Sequence, residues 1–375
     1  MKYRNFGKLN FKPSALGFGT MRLPTIEGNN VNIDEPQATE MLYYAIDQGV
    51  NYVDTSYIYH SGQSEIFLGK ALQNGWREKV KIADKLTAKY VNTYDDFDRM
   101  LNEQLQKLQT DQIDFYLLHA LNREKWEKLY QLNVLSWAKK AIANGRIGHL
   151  GFSFHDNFDL FKEIIDAYDK WTFCQIQYNV LDVNFQAGEK GLKYAADKGL
   201  AVVIMEPLKG GYLTKPPEKI ARIWNKAEVK KTPASMALSW LWNQPEVSLV
   251  LSGMSSLEQV KENVETASNF KPNSLSNDDL VLIAQVQEEY RQLSAVPCTG
   301  CNYCQPCPKA VNIPRIFDIF NQYSLTKDLV KAKESYQRLK EERGSNCVSC
   351  KKCESLCPQA IKISEKIKEI DNLLK

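Results

Sequence analysis

The sequence predicts an α/β fold, a (β/α)₈ barrel, followed by a small helical domain rich in cysteine. Short apolar runs alternate with longer amphipathic stretches eight times between residues 16 and 269, which is typical of strand–helix units that close into a barrel. Several runs are apolar almost throughout, as parallel strands buried on both faces are. Eight of the nine cysteines fall after residue 297. A doubly wound open sheet is the competing fold, but no glycine-rich dinucleotide turn follows the first run.

The predicted barrel elements follow from the period of the apolar residues. The strands are Leu16–Leu23, Tyr52–Ser56, Val80–Leu86, Asp114–Ala120, Ile147–Phe154, Phe173–Asn179, Leu200–Pro207 and Ser248–Gly253. The helices, each with one apolar face, are Pro36–Gln48, Tyr94–Gln109, Trp126–Ala143, Phe158–Lys170, Gln186–Lys198, Pro233–Asn243 and Ser256–Ser268.

Further elements lie before and after the eight units. Residues 2–13 form two short alternating pieces around Gly7 and predict a hairpin that plugs the barrel floor. Asn277–Leu293 is one more predicted helix, and Ser294–Pro297 reads as a linker. We therefore predict a barrel domain over residues 1–293 and a cysteine domain over residues 294–375. Within the second domain, Ile316–Arg343 and Ile361–Leu374 are helix-like.

Composition and charge argue against several classes of protein. The 375-residue chain has a formal net charge of only +3, which gives no support for nucleic-acid or membrane binding. No apolar run approaches the roughly 20 residues that span a bilayer, and the N-terminus lacks the apolar core of a signal peptide. We therefore expect a cytoplasmic protein, in which the cysteines are not a disulfide framework. Cys174, apart from the others, is expected to be a small buried hydrophobe.

The eight C-terminal cysteines form two runs with regular spacing. The first run is Cys298, Cys301, Cys304 and Cys307, and the second is Cys347, Cys350, Cys353 and Cys357. The second run matches the bacterial ferredoxin pattern C-x₂-C-x₂-C-x₃-C-P, whereas the first is one residue shorter before its last cysteine. In that pattern the fourth cysteine ligates the other cluster.

Two [4Fe–4S] sites are therefore predicted. One takes Cys298, Cys301 and Cys304 with Cys357, and the other takes Cys347, Cys350 and Cys353 with Cys307. Structural zinc is the alternative, but it needs two C-x₂-C pairs for each ion, which the triplets match poorly. With a helical insert between its half-motifs, the domain resembles α-helical ferredoxins.

Four polar residues fall near the carboxyl ends of predicted strands two, three and four. They are Asp54, Tyr59, Lys85 and His119, and chemistry in such barrels takes place at that face. Singly, each has a structural explanation: a helix cap, a surface aromatic, a solvated lysine and a core histidine. Jointly, a carboxylate would hold the lysine, the ammonium would lower the pKa of the phenol, and the imidazole would orient a carbonyl. The set suits proton transfer to a carbonyl oxygen while a hydride reaches the carbon.

These residues lie in segments that resemble the aldo-keto reductases. The segment from Asp54 to Glu65, DTSYIYHSGQSE, is similar to the family signature D-T-A-x-x-Y-G-x-S-E. Ala83–Lys85, Tyr116–His119 and Gly145–Ser153 fall at further family positions, in the family's order. The likeness covers about residues 1–290, and the appended cysteine domain resembles a bacterial and archaeal branch of the family.

The resemblance implies a nicotinamide cofactor lying across the barrel mouth, with Tyr59 as general acid and His119 orienting the substrate. It also implies a set of cofactor contacts. Ser153 and Gln175 would hold the carboxamide, Met205 stands at the nicotinamide-stacking position, and the loop of Pro207, Leu208, Lys209, Gly210 and Gly211 would wrap the pyrophosphate. Ser252, Gly253, Met254 and Ser255, with Gln259 and Asn263, would face the adenosine end, and Gly19, Thr20 and Met21 are further expected contacts.

The sequence departs from the family pattern at several of these positions. Phe154 stands where many members have asparagine, and Met205 where many have a stacking tyrosine. Gly253 and Gln259 occupy places that often offer lysine or arginine to a 2′-phosphate, with only Lys261 nearby. The choice between NADPH and NADH therefore stays open.

Three functions remain open from the sequence. The first is NAD(P)-dependent interconversion of a small-molecule carbonyl and alcohol. The second is an electron-transfer oxidoreductase with a flavin or a redox protein partner, in which the clusters take part in turnover or serve only structure or docking. The sequence has no recognisable flavin-binding motif, although such barrels bind flavin mononucleotide without a short sequence signature. The third is a redox sensor that binds cofactor without turnover.

Overall fold

Eight parallel strands close into a barrel in chain order. The structure is a computed structural model that describes residues 1–226, 231–293, 295–298 and 303–375. The strands are β1 Leu16–Gly19, β2 Tyr52–Asp54, β3 Lys81–Leu86, β4 Ile113–Leu121, β5 Ile147–Phe154, β6 Phe173–Gln177, β7 Ala201–Met205 and β8 Val247–Gly253. Each pairs with the next, and β8 closes onto β1. The predicted (β/α)₈ barrel is confirmed, and the ends of most strands differ from the sequence prediction by one to four residues.

Helices alternate with the barrel strands, and further helices follow the eighth strand. They are α1 Glu35–Asp47, α2 Gln63–Ala71, α3 Asp95–Leu108, α4 Arg123–Gln131, α5 Val134–Ala143, α6 Phe158–Asp166, α7 Gly188–Asp197, α8 Glu218–Trp224, α9 Pro233–Trp242, α10 Leu257–Asn269, α11 Asn277–Leu293, α12 Ile313–Thr326, α13 Leu329–Gln337 and α14 Ile363–Leu374. Side chains of Asp34, Asn122, Asn157 and Ser256 accept the first amide hydrogens of α1, α4, α6 and α10, which is why these helices begin where they do. None of the described helices is long and apolar enough to cross a membrane.

The prediction of one helix over Trp126–Ala143 is wrong. The segment forms α4 and α5, which are separated at Asn133, where φ is 61°. Asparagine tolerates this left-handed conformation better than most residues. Two short helices, α2 and α8, are additional to the prediction.

The N-terminal hairpin plugs the barrel floor, as predicted. Phe6 is fully buried in a cluster with interior side chains of several strands, and its ring lies 4.9 Å from that of Phe115. Gly7 turns the hairpin with φ 55°, and a Cβ there would come within 2.6 Å of the Ala201 amide nitrogen. Only glycine meets both conditions without strain.

The strand register brings the carboxyl ends of β1, β2 and β8 to one mouth. Gly19 lies opposite Asp54 on one side and opposite Gly253 on the other. Asp54 in turn pairs with Ala83, two residues before Lys85. This register collects the predicted site residues of the first three strands at the same end of the barrel as those of β8.

The chain divides into two compact units. The barrel unit comprises residues 1–208 and 234–275, and the second unit comprises residues 209–233 and 276–375. Within the second unit α8 packs against α11, Lys219 forms an ion pair with Glu289, and the rings of Tyr212 and Tyr290 lie 5.2 Å apart. These contacts join α11 to the segment that precedes α9, within the second unit. The boundary predicted between residues 293 and 294 adjoins Ser294, which lies outside the described residues.

The C-terminal part of the second unit has its own apolar core. Ile316, Phe317, Tyr336 and Ile367 are fully buried there, and most of the described cluster cysteines pack against them. The predicted helix-like stretch Ile316–Arg343 is interrupted after Thr326, because Lys327 takes a left-handed conformation with φ 58°. Asp328 then caps α13, so the insert between the cysteine runs is a helical hairpin.

Candidate active site and cysteine sites

Lys85 and Asp54 form a buried ion pair at the barrel mouth. The Lys85 side chain has no exposed surface, and its Nζ lies 2.7 Å from each Asp54 carboxylate oxygen and 2.5 Å from the Thr55 carbonyl oxygen. Both oxygens of the carboxylate therefore face the ammonium. A buried ammonium needs such partners, because burial without them costs several kcal/mol.

Tyr59 and His119 complete the group. The Lys85 Nζ lies 4.8 Å from the centre of the Tyr59 ring, and the ring centres of Tyr59 and His119 are 6.3 Å apart and nearly perpendicular. His119 Nδ1 lies 3.1 Å from Ser56 Oγ and 3.3 Å from Thr87 Oγ1. Since these hydroxyls occupy Nδ1, Nε2 is the ring nitrogen left for a substrate. The structure thus brings together all four residues predicted as catalytic.

The protonation of Tyr59 differs from the sequence expectation. The pKa of Tyr59 is raised well above its usual value, first by burial and then by the charges of Asp54, Glu206 and Asp84. The expected lowering by the Lys85 ammonium is wrong for this structure, because Asp54 neutralises that charge at close range. Tyr59 is therefore a neutral phenol, which makes it a proton donor.

His119 is neutral for a related reason. Burial lowers its pKa well below the usual value, and Lys85, Lys125 and His155 lower it further. A neutral imidazole can donate one hydrogen bond to a carbonyl without carrying charge into the site. Burial also raises the pKa of Asp54, and the Lys85 ammonium acts in the opposite direction.

Ser153 and Gln175 lie side by side on β5 and β6, as the carboxamide site requires. Ser153 Oγ accepts a hydrogen bond from the Ala120 amide at 2.7 Å. Gln175 Nε2 lies 3.5 Å from the Met205 sulfur, while its Oε1 is buried and has no hydrogen-bond partner among the described residues. An unmatched buried acceptor beside a hydroxyl fits a carboxamide, which offers both a donor and an acceptor.

The expected adenosine-end residues also come together, at the end of β8 and the start of α10. Asn263 Nδ2 donates to Ser252 Oγ at 3.0 Å, and Gln259 Oε1 accepts from the Ser255 amide at 2.9 Å. Met254, which lies between Ser252 and Ser255 in the sequence, is buried. Gly253 lies under another side chain, since a Cβ there would come within 3.2 Å of Arg22 Cγ.

The remaining expected contacts divide between the two units. In the barrel unit, Thr20 Oγ1 donates to the Asp54 carbonyl at 2.9 Å, Met21 is exposed, and Pro207 is buried. Leu208 packs against the barrel core. Gly210 and Gly211 belong to the second unit, in a turn over Lys209–Thr214, with φ values of 63° and 89°.

Sequence reasoning missed two residues of the mouth. Arg22 is exposed, its methylene groups lie over Gly253, and its guanidinium has no ion-pair partner in the described part of the chain. Glu206 follows β7 with φ 56°, and its charge acts on Tyr59. An arginine and an acid near the ends of the predicted strands Leu16–Leu23 and Leu200–Pro207 were the available signals.

Six of the seven described cluster cysteines lie near other members of the sets that the sequence predicts. Cys298, Cys304 and Cys357 line one cavity together with Ile313, Phe317 and other largely apolar residues. Cys301 lies outside the described residues. Thiolate donors in an apolar setting fit an iron–sulfur cluster, whose ligands are cysteines from both runs.

The second set joins Cys307 with Cys347 and Cys353. Burial raises the pKa of Cys353 to about 11, with smaller contributions from Glu354 and from the nearby Cys347 and Cys307 thiols. Cys350 is exposed. Within the described residues no three cysteine, histidine or acidic side chains converge as ligands of a single metal ion.

The barrel with its buried lysine–carboxylate pair and the comparisons with known proteins support an NAD(P)-dependent oxidoreductase. Residues 15–286 match the aldo/keto reductase family, and residues 297–361 match a 4Fe-4S dicluster domain. The chain therefore belongs to the aldo/keto reductase family and carries a 4Fe–4S ferredoxin-type domain after the barrel.

Named relatives and solved structures agree with this assignment. The chain is 27% identical over 317 residues to L-galactose dehydrogenase of Arabidopsis thaliana, and the alignment covers 78% of this chain and 97% of that protein. It is 24% identical over 336 residues to the NADH-specific methylglyoxal reductase of Escherichia coli, covering 77% and 99%. A holo-form aldo-keto reductase from Bacillus halodurans superposes with a TM-score of 0.64 at 25% identity, covering 76% of this chain and 96% of the other.

Proposed function

We propose that the protein interconverts a small-molecule carbonyl and alcohol with NAD(P)H, using Tyr59 as general acid and base. The observation that carries this proposal is the buried group in which Lys85 joins Asp54 and lies beneath the Tyr59 ring. The unmatched Gln175 acceptor beside Ser153 supports a carboxamide-bearing cofactor at the same mouth.

The protein's part in the reaction follows from the protonation states. Tyr59 donates its proton to the carbonyl oxygen as that oxygen gains negative charge, and His119 Nε2 orients the same oxygen. Lys85 stabilises the phenolate left behind, while Asp54 keeps the ammonium in place. Bound NAD(P)H supplies the hydride to the carbonyl carbon. Ser153 and Gln175 would hold its carboxamide.

Arg22 supports a preference for NADPH. Arg22 is exposed, and its methylene groups lie over Gly253, on the segment proposed to face the adenosine end. A planar guanidinium binds a phosphate through two parallel hydrogen bonds. Arg22 therefore supplies the cation that neither Gly253 nor Gln259 provides.

Replacing Tyr59 with phenylalanine tests the carbonyl chemistry. Because the variant lacks only the hydroxyl, we expect kcat/KM for carbonyl reduction to fall by about 10²–10⁴-fold. Thermal unfolding and cofactor binding should match the wild type. Ser61→Ala, in the same loop, serves as a matched control, and an undiminished rate in Tyr59→Phe would refute the proposal.

We further propose that the eight cysteines hold two [4Fe–4S] clusters in the interleaved sets, and that electron transfer is a second candidate function. Bound clusters supply one-electron transfer. Cys350 is exposed next to Val348, which is 59% exposed, and to the exposed Lys351 and Lys352. An exposed ligand with an apolar neighbour and lysines suits contact with an acidic redox protein. A cytoplasmic location remains a prediction.

A further inference from the structure

A second pair of carboxyl groups lies buried behind the Lys85–Asp54 pair. Glu65 on α2 and Asp84 on β3 have no exposed surface. Glu65 Oε2 accepts from Lys107 Nζ at 2.8 Å, and its Oε1 accepts from Gln104 Nε2 at 3.1 Å. Asp84 Oδ1 accepts from the Lys85 amide at 2.7 Å. Asp84 Oδ2 is buried and has no donor among the described residues.

The unmatched oxygen of Asp84 is explained by Glu65. Gln104 Nε2 donates both to Glu65 Oε1 and to the Lys85 carbonyl oxygen, which places the Glu65 carboxyl beside the backbone of the residue that follows Asp84. Ionised carboxylates only accept hydrogen bonds, so two of them in contact require a proton between them. Burial and the nearby Glu65 charge raise the pKa of Asp84 well above its ordinary range, which agrees with a protonated Asp84.

A count of charges gives the same assignment. Lys107 pairs with Glu65, and Lys85 pairs with Asp54. The described residues offer no further cation to Asp84. An ionised Asp84 would therefore be an unpaired buried anion, which is far more costly than a neutral acid in a hydrogen bond.

The pair is joined to the catalytic lysine through the chain itself. Asp84 precedes Lys85 and binds its amide, and Gln104 Nε2 also donates to the Lys85 carbonyl at 3.2 Å. Gln104 is held in turn by Tyr116, whose hydroxyl donates to its Oε1 at 2.6 Å. The network fixes the backbone on both sides of Lys85.

We propose that Asp84 and Glu65 share one proton, carried by Asp84, and act as positioning residues that leave Lys85 committed to Asp54 and Tyr59. The inference rests on the proposed carbonyl chemistry. While Asp84 stays neutral, the Lys85 ammonium interacts with one carboxylate, that of Asp54. If Asp84 lost its proton, a second anion beside Lys85 would compete for the ammonium and oppose formation of the Tyr59 phenolate.

The charged and titratable groups around Asp84 come from four elements. Lys85 lies next to it on β3, Glu65 faces it from α2, Tyr116 lies opposite it on β4, and Tyr59 interacts with it from the loop after β2. Tyr116 stays neutral, because burial and these same carboxyl groups raise its pKa. Asp84 is thus the group whose loss of a proton at alkaline pH would change the site.

Two isosteric variants should shift the alkaline limb of the pH–rate profile for carbonyl reduction in opposite directions. Asp84→Asn keeps both hydrogen bonds without a titrating proton, so the limb should disappear or move up by about one pH unit or more. Glu65→Gln removes the anion that holds the proton on Asp84, so the limb should move down by about the same amount. A merely structural role would leave the position of the limb unchanged in both variants, and that result would overturn the proposal.

An infrared measurement tests the shared proton without any turnover. The cofactor-free protein at neutral pH should show the C=O stretch of a buried protonated carboxyl, and Asp84→Asn should lack it. Asp114→Asn is the control, because Asp114 pairs with Arg77 and Lys81 and should contribute no such band. A wild-type spectrum without the band would overturn the proposal. Because this readout needs no substrate, a failure of the carbonyl chemistry would leave it interpretable.

Discussion

At the scale of single residues, burial decides which form of each catalytic group is present. Tyr59 is a neutral phenol because burial and three acids raise its pKa, and His119 is a neutral imidazole because burial and nearby cations lower its pKa. The cofactor-free site is therefore set for reduction, which consumes a proton from Tyr59. The reverse oxidation needs the phenolate, which the protein disfavours.

These directions predict the pH dependence of the two reactions. Tyr59 stays protonated, so the rate of reduction should be constant from about pH 6 upwards and should fall only where Asp84 loses its proton at alkaline pH, whereas alcohol oxidation should increase with pH. No transition should occur near about pH 6.5, the ordinary pKa of histidine. Initial rates measured in both directions would check this. A limb near neutrality that is absent in His119→Asn would contradict the neutral imidazole.

Arg22 gives a second prediction at this scale. Arg22→Ala should raise KM for NADPH by roughly 10-fold, because a charge-assisted hydrogen bond to phosphate is worth about 1.5–3 kcal/mol. KM for NADH should stay unchanged, since NADH has no 2′-phosphate. Lys261→Ala is the matched control, because Lys261 Nζ lies 5.7 Å from the Tyr44 ring centre instead. Equal changes for both cofactors would rule out phosphate recognition by Arg22.

The sequence predicted the site residues whose positions along the chain place them at the ends of strands. Asp54, Lys85 and His119 each stand near the end of an apolar strand, so the barrel register alone brings them to one mouth. Arg22 was not predicted, because its contact with Gly253 depends on how the turn after β1 folds back on β8. The expected direction of the Tyr59 pKa was wrong for a similar reason, since a sequence shows neither the burial of the phenol nor that both Asp54 oxygens face the Lys85 ammonium.

At the scale of elements, strands were easier to predict than helix boundaries. Each barrel strand is buried almost throughout, so its apolar run is visible in the sequence even though its ends shift by up to four residues, whereas the break at Asn133 lies inside a continuous amphipathic pattern. Helix α2 escaped prediction because Ser64 and Glu65 are buried polar residues within it. Their burial reflects the network around Lys85 rather than an apolar helix face.

The floor hairpin predicts an effect on stability that leaves the mouth intact. Phe6→Ala should lower the free energy of barrel unfolding by about 3–5 kcal/mol, because it empties a space among interior aromatic rings. Denaturant unfolding followed by tryptophan fluorescence measures this change. Tyr3→Ala, whose ring is 50% exposed, should cost far less. Similar losses in both variants would mean that the plug does not support the barrel core.

At the scale of the whole molecule, the proposed functions would join a two-electron reaction at the barrel mouth to one-electron transfer at the cysteine sites. A hydride carries two electrons, and the cysteines form two sets that would each hold a cluster accepting one. The sequence predicted this organisation, because the order of the two runs and their trailing prolines specify an interleaved pair of sites. It did not predict that α8 and α11 would pack together in the second unit, since that follows from side-chain contacts such as Lys219 with Glu289.

Anaerobic addition of reduced cofactor tests whether the clusters take part in turnover. The protein as purified should contain about eight irons per chain and little zinc, as two four-iron clusters require. If electrons pass from cofactor to clusters, the broad visible absorbance should bleach on adding NADPH, and more slowly with NADH because Arg22 favours the phosphate. Tyr59→Phe should bleach like the wild type, because cluster reduction needs no proton from the phenol. If iron is present but the visible spectrum does not change, the protein is a carbonyl reductase whose clusters serve structure or docking. If zinc is found in place of iron, the cluster assignment is refuted, while the chemistry proposed for the barrel mouth is unaffected.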